Sequence, residues 1–162
     1  MIDYNSLFTY CQSTGQLYWK VSRGCIKEGT LVKSINDHGY SRVMINKVSY
    51  RTHRIIWEMH KGAIPSGMFI DHIDGNFTNN RIENLRLVSR EENAMNMPVR
   101  SDSKTGITGV CWSRRHNLWQ AYININRKRK HLGWYSEFIK ACEARIIAEI
   151  SSGFHVNHGR AA

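Results

Sequence analysis

Acidic residues are scarce in this chain: 13 Asp and Glu stand against 23 Lys and Arg, for a formal net charge of +10. A surface so short of acid points to a polyanionic partner. Proline occurs only twice and no apolar run is long enough to cross a bilayer, so no membrane role is expected. The four cysteines, Cys11, Cys25, Cys111 and Cys142, form no CxxC pair, which argues against a structural zinc. MIDYNSLFTY lacks the basic start and apolar stretch of a signal peptide. A reducing cytoplasm is the expected home. Low-complexity segments and regular repeats are absent as well.

The charge that is present is uneven. Lys and Arg outnumber Asp and Glu by 11 to 4 after residue 97, but only by 12 to 9 before it. That asymmetry suits a catalytic part that admits a cation, followed by a basic part that grips phosphates.

The pattern predicts an α+β chain. Residues 1–52 alternate in short segments broken by turn residues, with LFTY and QLYWKV around Ser13-Thr14-Gly15, and GYSRVMI and VSYRT around Asn46-Lys47. These read as antiparallel hairpins. Arg42 and Arg51 fall on an exposed edge or face, either as ordinary exposed sheet residues or as contacts to a DNA backbone. HRIIWEMHK then takes a helical period and ends at Gly62. His53 and His60 share a face of that helix at i and i+7, but with no third ligand on it they read as packing or surface residues.

MFIDH and LRLVS form two strands around the loop 73–84, and Ser89 with Glu92 makes a capping box that starts a helix at Arg90. Strand, loop, strand and helix make a ββα unit, held within a core domain expected over residues 53–97, with 98–106 a polar linker. Residues 107–152 carry three strands and an amphipathic helix, and 153–162 form a tail without signal. Alternation puts Trp119, Ala121 and Ile123 on the helix-covered face of that sheet, and Gln120, Tyr122, Asn124, Arg129 and His131 on the open one. The helix is expected to bury Phe138, Ile139, Cys142, Ile146 and Ile150.

The ββα unit holds the residues suited to phosphodiester hydrolysis. Asp71 is a hard anionic oxygen ligand and Asn93 a neutral one, a pair that suits magnesium or manganese. His72, with an ordinary pKa near 6.5, can take a proton from the attacking water, and a main-chain carbonyl of the loop is its expected orienting partner. Asn84 braces the loop. Adjacent strand residues point to opposite faces, so the strand is expected to twist, bulge or end there.

In the order DH, Asn, helix-borne Asn, the segment resembles the HNH nuclease family, in the branch of phage homing endonucleases whose last motif His is Asn. The resemblance covers about residues 50–97 and implies that Asp71 and Asn93 bind one Mg2+ or Mn2+ ion. It further implies that His72 is the general base and that Asn84 supports it. GVCWSRR, LWQAYINI, HLGWY and the helix after them resemble an AP2/ERF domain, a three-stranded sheet backed by a helix that reads the DNA major groove. Cys111 and Ser113 stand where plant members have Arg, so base recognition is not carried over from those positions. Arg114, Arg115, Asn124, Arg129 and His131 are the expected contacts, chiefly to phosphate.

The expected function is thus metal-dependent cleavage of double-stranded DNA by a homing endonuclease. The chain would act as a monomer or weak dimer, and no protein partner is evident. The alternative is a non-cleaving DNA-binding regulator that uses the AP2-like region. An RNA-binding protein has only charge and aromatics in its favour.

Overall fold

The computed structural model describes residues 2–36, 39–97, 99, 102–155 and 158–159. The chain divides into two compact units, Met1–Arg90 and Glu91–Ala162, with a mixed α+β content and, among the described residues, antiparallel strand pairing throughout.

In the first unit, a single-turn helix α1 (Tyr4–Leu7), capped by Asp3, leads into the hairpin β1 (Phe8–Cys11) and β2 (Gln16–Trp19). The early LFTY segment is therefore split, with Leu7 closing the helix and Phe8 opening the strand. A second hairpin pairs β3 (Arg42–Ile45) with β4 (Val48–Arg51). Its two-residue turn, Asn46-Lys47, has φ of 49° and 65°, the left-handed pair that a type I′ turn requires. Helix α2 (Thr52–Lys61) follows directly and stops at Gly62, whose φ of 85° only glycine adopts cheaply. The hairpin β5 (Phe69–His72) and β6 (Leu85–Val88) completes the unit.

All these elements share one core. Phe8, Leu17 and Trp19 pack with Val43 and Ile45, with Ile55 and Ile56 of α2, and with Ile70 and Leu85 of the last hairpin. Residues 1–52 and the strands after them thus bury apolar surface together, which compensates for the small core either part would have alone.

Helix α3 (Arg90–Ala94) starts where the capping box placed it. In the second unit β7 (Val110–Ser113), β8 (Leu118–Ile125) and β9 (Lys128–Tyr135) form one sheet in that order, joined across β8 and β9 by a left-handed turn at Asn126-Arg127. Helix α4 (Phe138–Ser151) covers one face. Ala121 and Ile123 are buried, and Trp119 meets Phe138 at 4.7 Å between ring centroids. On the open face, Gln120 and His131 lie 3.3 Å apart and Arg129 stacks 4.1 Å above the Tyr122 ring. Residues 98, 100 and 101 of the expected linker, and 156, 157 and 160–162 of the tail, lie outside the described residues.

One expectation is corrected. α4 turns Phe138, Ala141, Cys142 and Arg145 toward its sheet, while Ile139, Ile146, Ile147 and Ile150 are 65%, 47%, 63% and 75% exposed. The sheet side of the helix is tight and partly polar. A side-chain carbon added at Gly109 would meet the Arg145 guanidinium at 2.8 Å. Arg145 is buried because its charge is answered there, by the Thr108 carbonyl at 2.8 Å and Glu149 at 2.9 Å. Small residues and a paired arginine therefore occupy the face that hydrophobicity alone assigns to isoleucine.

Candidate active site

β5 is regular through both residues of the acid–histidine pair, with Asp71 opposite Arg86 and His72 opposite Leu85. It ends only after His72, so the expected twist, bulge or early end is not found and alternation holds through the pair. The two side chains still leave on opposite faces: Asp71 lies half-buried on the outer side and His72, 2% exposed, points into the core.

Arg86 reaches across the hairpin to Asp71, placing Nη2 at 2.8 Å and Nε at 3.1 Å from the same carboxylate oxygen. Asp71 is 14% exposed at its side chain, so this anion is held largely out of water beside a cation.

The orienting partner of His72 is a side chain, not the main-chain carbonyl expected. Nε2 of His72 donates to Oδ1 of Asn80 at 2.9 Å, and both residues are buried. A carbonyl oxygen can only accept, so the ring proton sits on Nε2 and the lone pair on Nδ1. Burial pushes the His72 pKa down, and the Asn80 bond and the nearby Asp74 and Asp71 charges only partly oppose it. The ring is neutral at pH 7, the state a proton acceptor needs.

Around it stands an aromatic cage. His53 meets His72 edge-on at 5.0 Å between ring centroids, Tyr40 lies 6.1 Å away, and Phe77 stacks on Tyr40 at 4.4 Å. His53 is itself 2% exposed. Its pKa is pushed down to about 3, first by burial and then by the charges of His72, Arg51 and Arg54.

Asn84 is committed to the loop. Its amide donates to Asp74 Oδ1 at 2.9 Å and to the Asn79 carbonyl at 2.8 Å, while its own oxygen accepts from the Asp74 backbone at 3.1 Å. Asp74 also accepts from Asn76 N–H at 2.8 Å and from Asn79 Nδ2 at 2.7 Å. Burial raises its carboxyl pKa, but these bonds outweigh that and hold it below its ordinary value. The loop 73–84 is thereby fixed by its own side chains, which is what keeps Asn80 under His72.

Asp71, His72 and Asn84 belong to the first unit, whereas Asn93 stands half-buried on α3 among the residues of the second. No group of three His, Cys, Asp or Glu residues that could hold a metal occurs among the described residues. Asp71 and Asn93 each carry hard oxygen, and the Asp71 carboxylate already holds a positive charge in Arg86. Arg42 and Arg51 face one another on β3 and β4. Arg114 and Arg115 are exposed at the β7–β8 turn, and Asn124, Arg129 and His131 are exposed on the second sheet.

The HNH endonuclease family model matches residues 50–95. Protein 3.8 of Escherichia phage T7 is 38% identical over 79 residues, 49% of this chain and 65% of that protein. YosQ, an SPbeta prophage-derived protein of Bacillus subtilis (strain 168) that carries the name of an HNH homing endonuclease, is 33% identical over 48% of this chain and 50% of its own length. The chain therefore spans less than two thirds of these two relatives. The uncharacterized gene 5.3 protein of Enterobacteria phage T3 is 33% identical over 46% of this chain and 78% of that protein. A solved structure of the HNH homing endonuclease I-HmuI, concerned with its DNA binding and cleavage, aligns over 96% of this chain and 89% of that one. Its TM-score is 0.45, at 22% identity. Residues 50–95 thus carry an HNH endonuclease domain, and about half of the chain is shared with proteins of phages T7 and T3.

Proposed function

We propose that the chain hydrolyses phosphodiester bonds of double-stranded DNA with the help of one Mg2+ or Mn2+ ion, as a homing endonuclease of a phage or mobile element acting in the host cytoplasm. The observation that carries the reading is the state of His72: a neutral imidazole, locked by Asn80 with its lone pair on Nδ1, directly after a carboxylate.

In the reaction, Nδ1 of His72 takes a proton from water as its oxygen bonds to phosphorus. The bond from phosphorus to the 3′ oxygen then breaks and that oxygen takes a proton from solvent water, leaving a 5′-phosphate and a 3′-hydroxyl, while His72 returns its proton to solvent. Asp71 and Asn93 are the residues that would hold the ion. When bound, the ion neutralises charge gathering on the phosphate and the leaving oxygen. Asn80 keeps the base in one tautomer, and Asn84 keeps Asn80 in place through the loop. His72 is only 2% exposed, so entry of the water requires that its surroundings open as DNA docks.

The second unit supplies grip on the duplex in this reading. Its open sheet face is proposed to lie on DNA in the AP2-like manner, with Arg129, His131 and Asn124 on that face and Arg114 and Arg115 at its turn.

One observation favours a rival. Because His72 is buried and leaves β5 on the face opposite Asp71, the first unit also suits a scaffold for a non-cleaving DNA-binding regulator. Incubation of supercoiled plasmid with the full chain and Mg2+ or Mn2+ separates the two. Conversion to nicked or linear DNA that a chelator prevents supports the nuclease. Binding without conversion supports the regulator.

A further inference from the structure

Alternation in the hairpin β3–β4 buries Val43 and Ile45 and turns Arg42 and Met44 outward. Arg42 and Arg51 are partners in the pairing register, so their side chains emerge side by side on the exposed face. Like charges directly opposite one another on a sheet repel. Arg51 is also the N-cap of α2, whose first turn contains Arg54 and no acid, so the positive end of the helix dipole adds to the repulsion. Among the described residues neither Arg42 nor Arg51 makes an ion pair or a side-chain hydrogen bond. The fold thus concentrates positive charge at one point and leaves it unanswered.

The position of that point is informative. The Arg51 guanidinium stacks 4.7 Å over the Tyr40 ring, and Tyr40 in turn lies against His53 and His72. Stacking restrains Arg51 without using its hydrogen-bond donors, which stay available to an anion.

We propose that Arg42 and Arg51 form a preset clamp for one backbone phosphate of DNA, flanking the phosphate attacked by the water that His72 deprotonates. This inference rests on the nuclease reading above and adds its anchoring point. A phosphodiester brings the negative charge that the pair lacks, and two guanidinium groups in register offer parallel donors to its oxygens. Through Tyr40, seating that phosphate also bears on the cover of the His72 ring.

The test uses the full chain and a DNA duplex without divalent metal, with affinity followed by fluorescence anisotropy across a series of potassium chloride concentrations. Arg42→Gln and Arg51→Gln are each expected to flatten the log affinity against log salt slope by about 0.9, the loss of one phosphate contact. Arg42→Lys, which keeps the charge, should retain the slope. The melting temperature of both Gln variants without DNA should hold or rise by a few degrees, since a repulsion has been removed. An unchanged salt slope in either Gln variant overturns the clamp. If the wild-type chain neither binds nor cuts duplex DNA, the nuclease reading falls and takes the clamp with it. Wild-type cutting with an unchanged variant slope sinks the clamp alone.

Discussion

Acidification should unfold the first unit through His53, and the size of the effect follows from its surroundings. The folded pKa is about 3 against an ordinary 6.5. Above pH 6.5 both folded and unfolded chains carry a neutral ring and the group contributes no pH dependence. Below it the unfolded chain takes up a proton that the folded core refuses, so stability falls with pH until about 3. Each pH unit in that window costs about 1.4 kcal/mol for His53 alone, or roughly 3 kcal/mol by pH 4.5. His72 is pushed the same way by burial, so wild-type unfolding should take up more than one proton near pH 5. A small domain has only about 5 to 15 kcal/mol to lose, so the decline is large enough to measure. Urea unfolding from pH 7.5 to 4.5, repeated for His53→Gln, is the assay, with the His53 ring signals followed by NMR. The substitution should remove about one proton from the uptake. An undiminished pH dependence, or a His53 ring that titrates near 6.5 in the folded chain, refutes the reasoning.

Other substitutions probe the loop and the second unit. Asn80→Leu strands the buried Nε2–H of His72 and should cost about 1 to 3 kcal/mol in urea unfolding while lowering the cleavage rate at saturating metal. Asn80→Asp, which keeps an acceptor, should recover most of the stability. Asn84→Ala removes three loop hydrogen bonds and should act mainly on stability, whereas Asn93→Ala should leave the urea midpoint in place and raise the Mn2+ concentration needed for half-maximal cutting. Equal, stability-neutral losses from both would contradict the division of roles. Arg129→Ala should weaken DNA binding with little change in the single-turnover rate at saturating protein, because its site is the open sheet face. A matching loss of rate would place that residue in the chemistry instead.

Local signals carried the sequence reading a long way. Asn46-Lys47 marked a hairpin, Gly62 a helix end and Ser89 with Glu92 a helix start, because each works within a few residues of chain. The ββα stretch with Asp71, His72 and Asn84 was legible for the same reason. Asn80 was read only as a loop residue, since its bond to His72 spans the loop and depends on how Asp74 and Asn84 fold it. His53 looked like ordinary packing on α2, and nothing in its helix discloses that the neighbour is His72. The α4 face was misassigned because periodicity weighs isoleucine above arginine, while the sheet offers Arg145 a carbonyl and Glu149 a charge.

The central claim is that His72 is the base of a hydrolysis. Its most direct test is single-turnover cleavage of supercoiled DNA with Mn2+ by the wild-type chain and by His72→Ala, with folding of the variant checked by circular dichroism. The account predicts cutting by the wild type, ends that a ligase can seal, and loss of at least about two orders of magnitude in the variant. Cutting by a folded His72→Ala chain at the wild-type rate would contradict it.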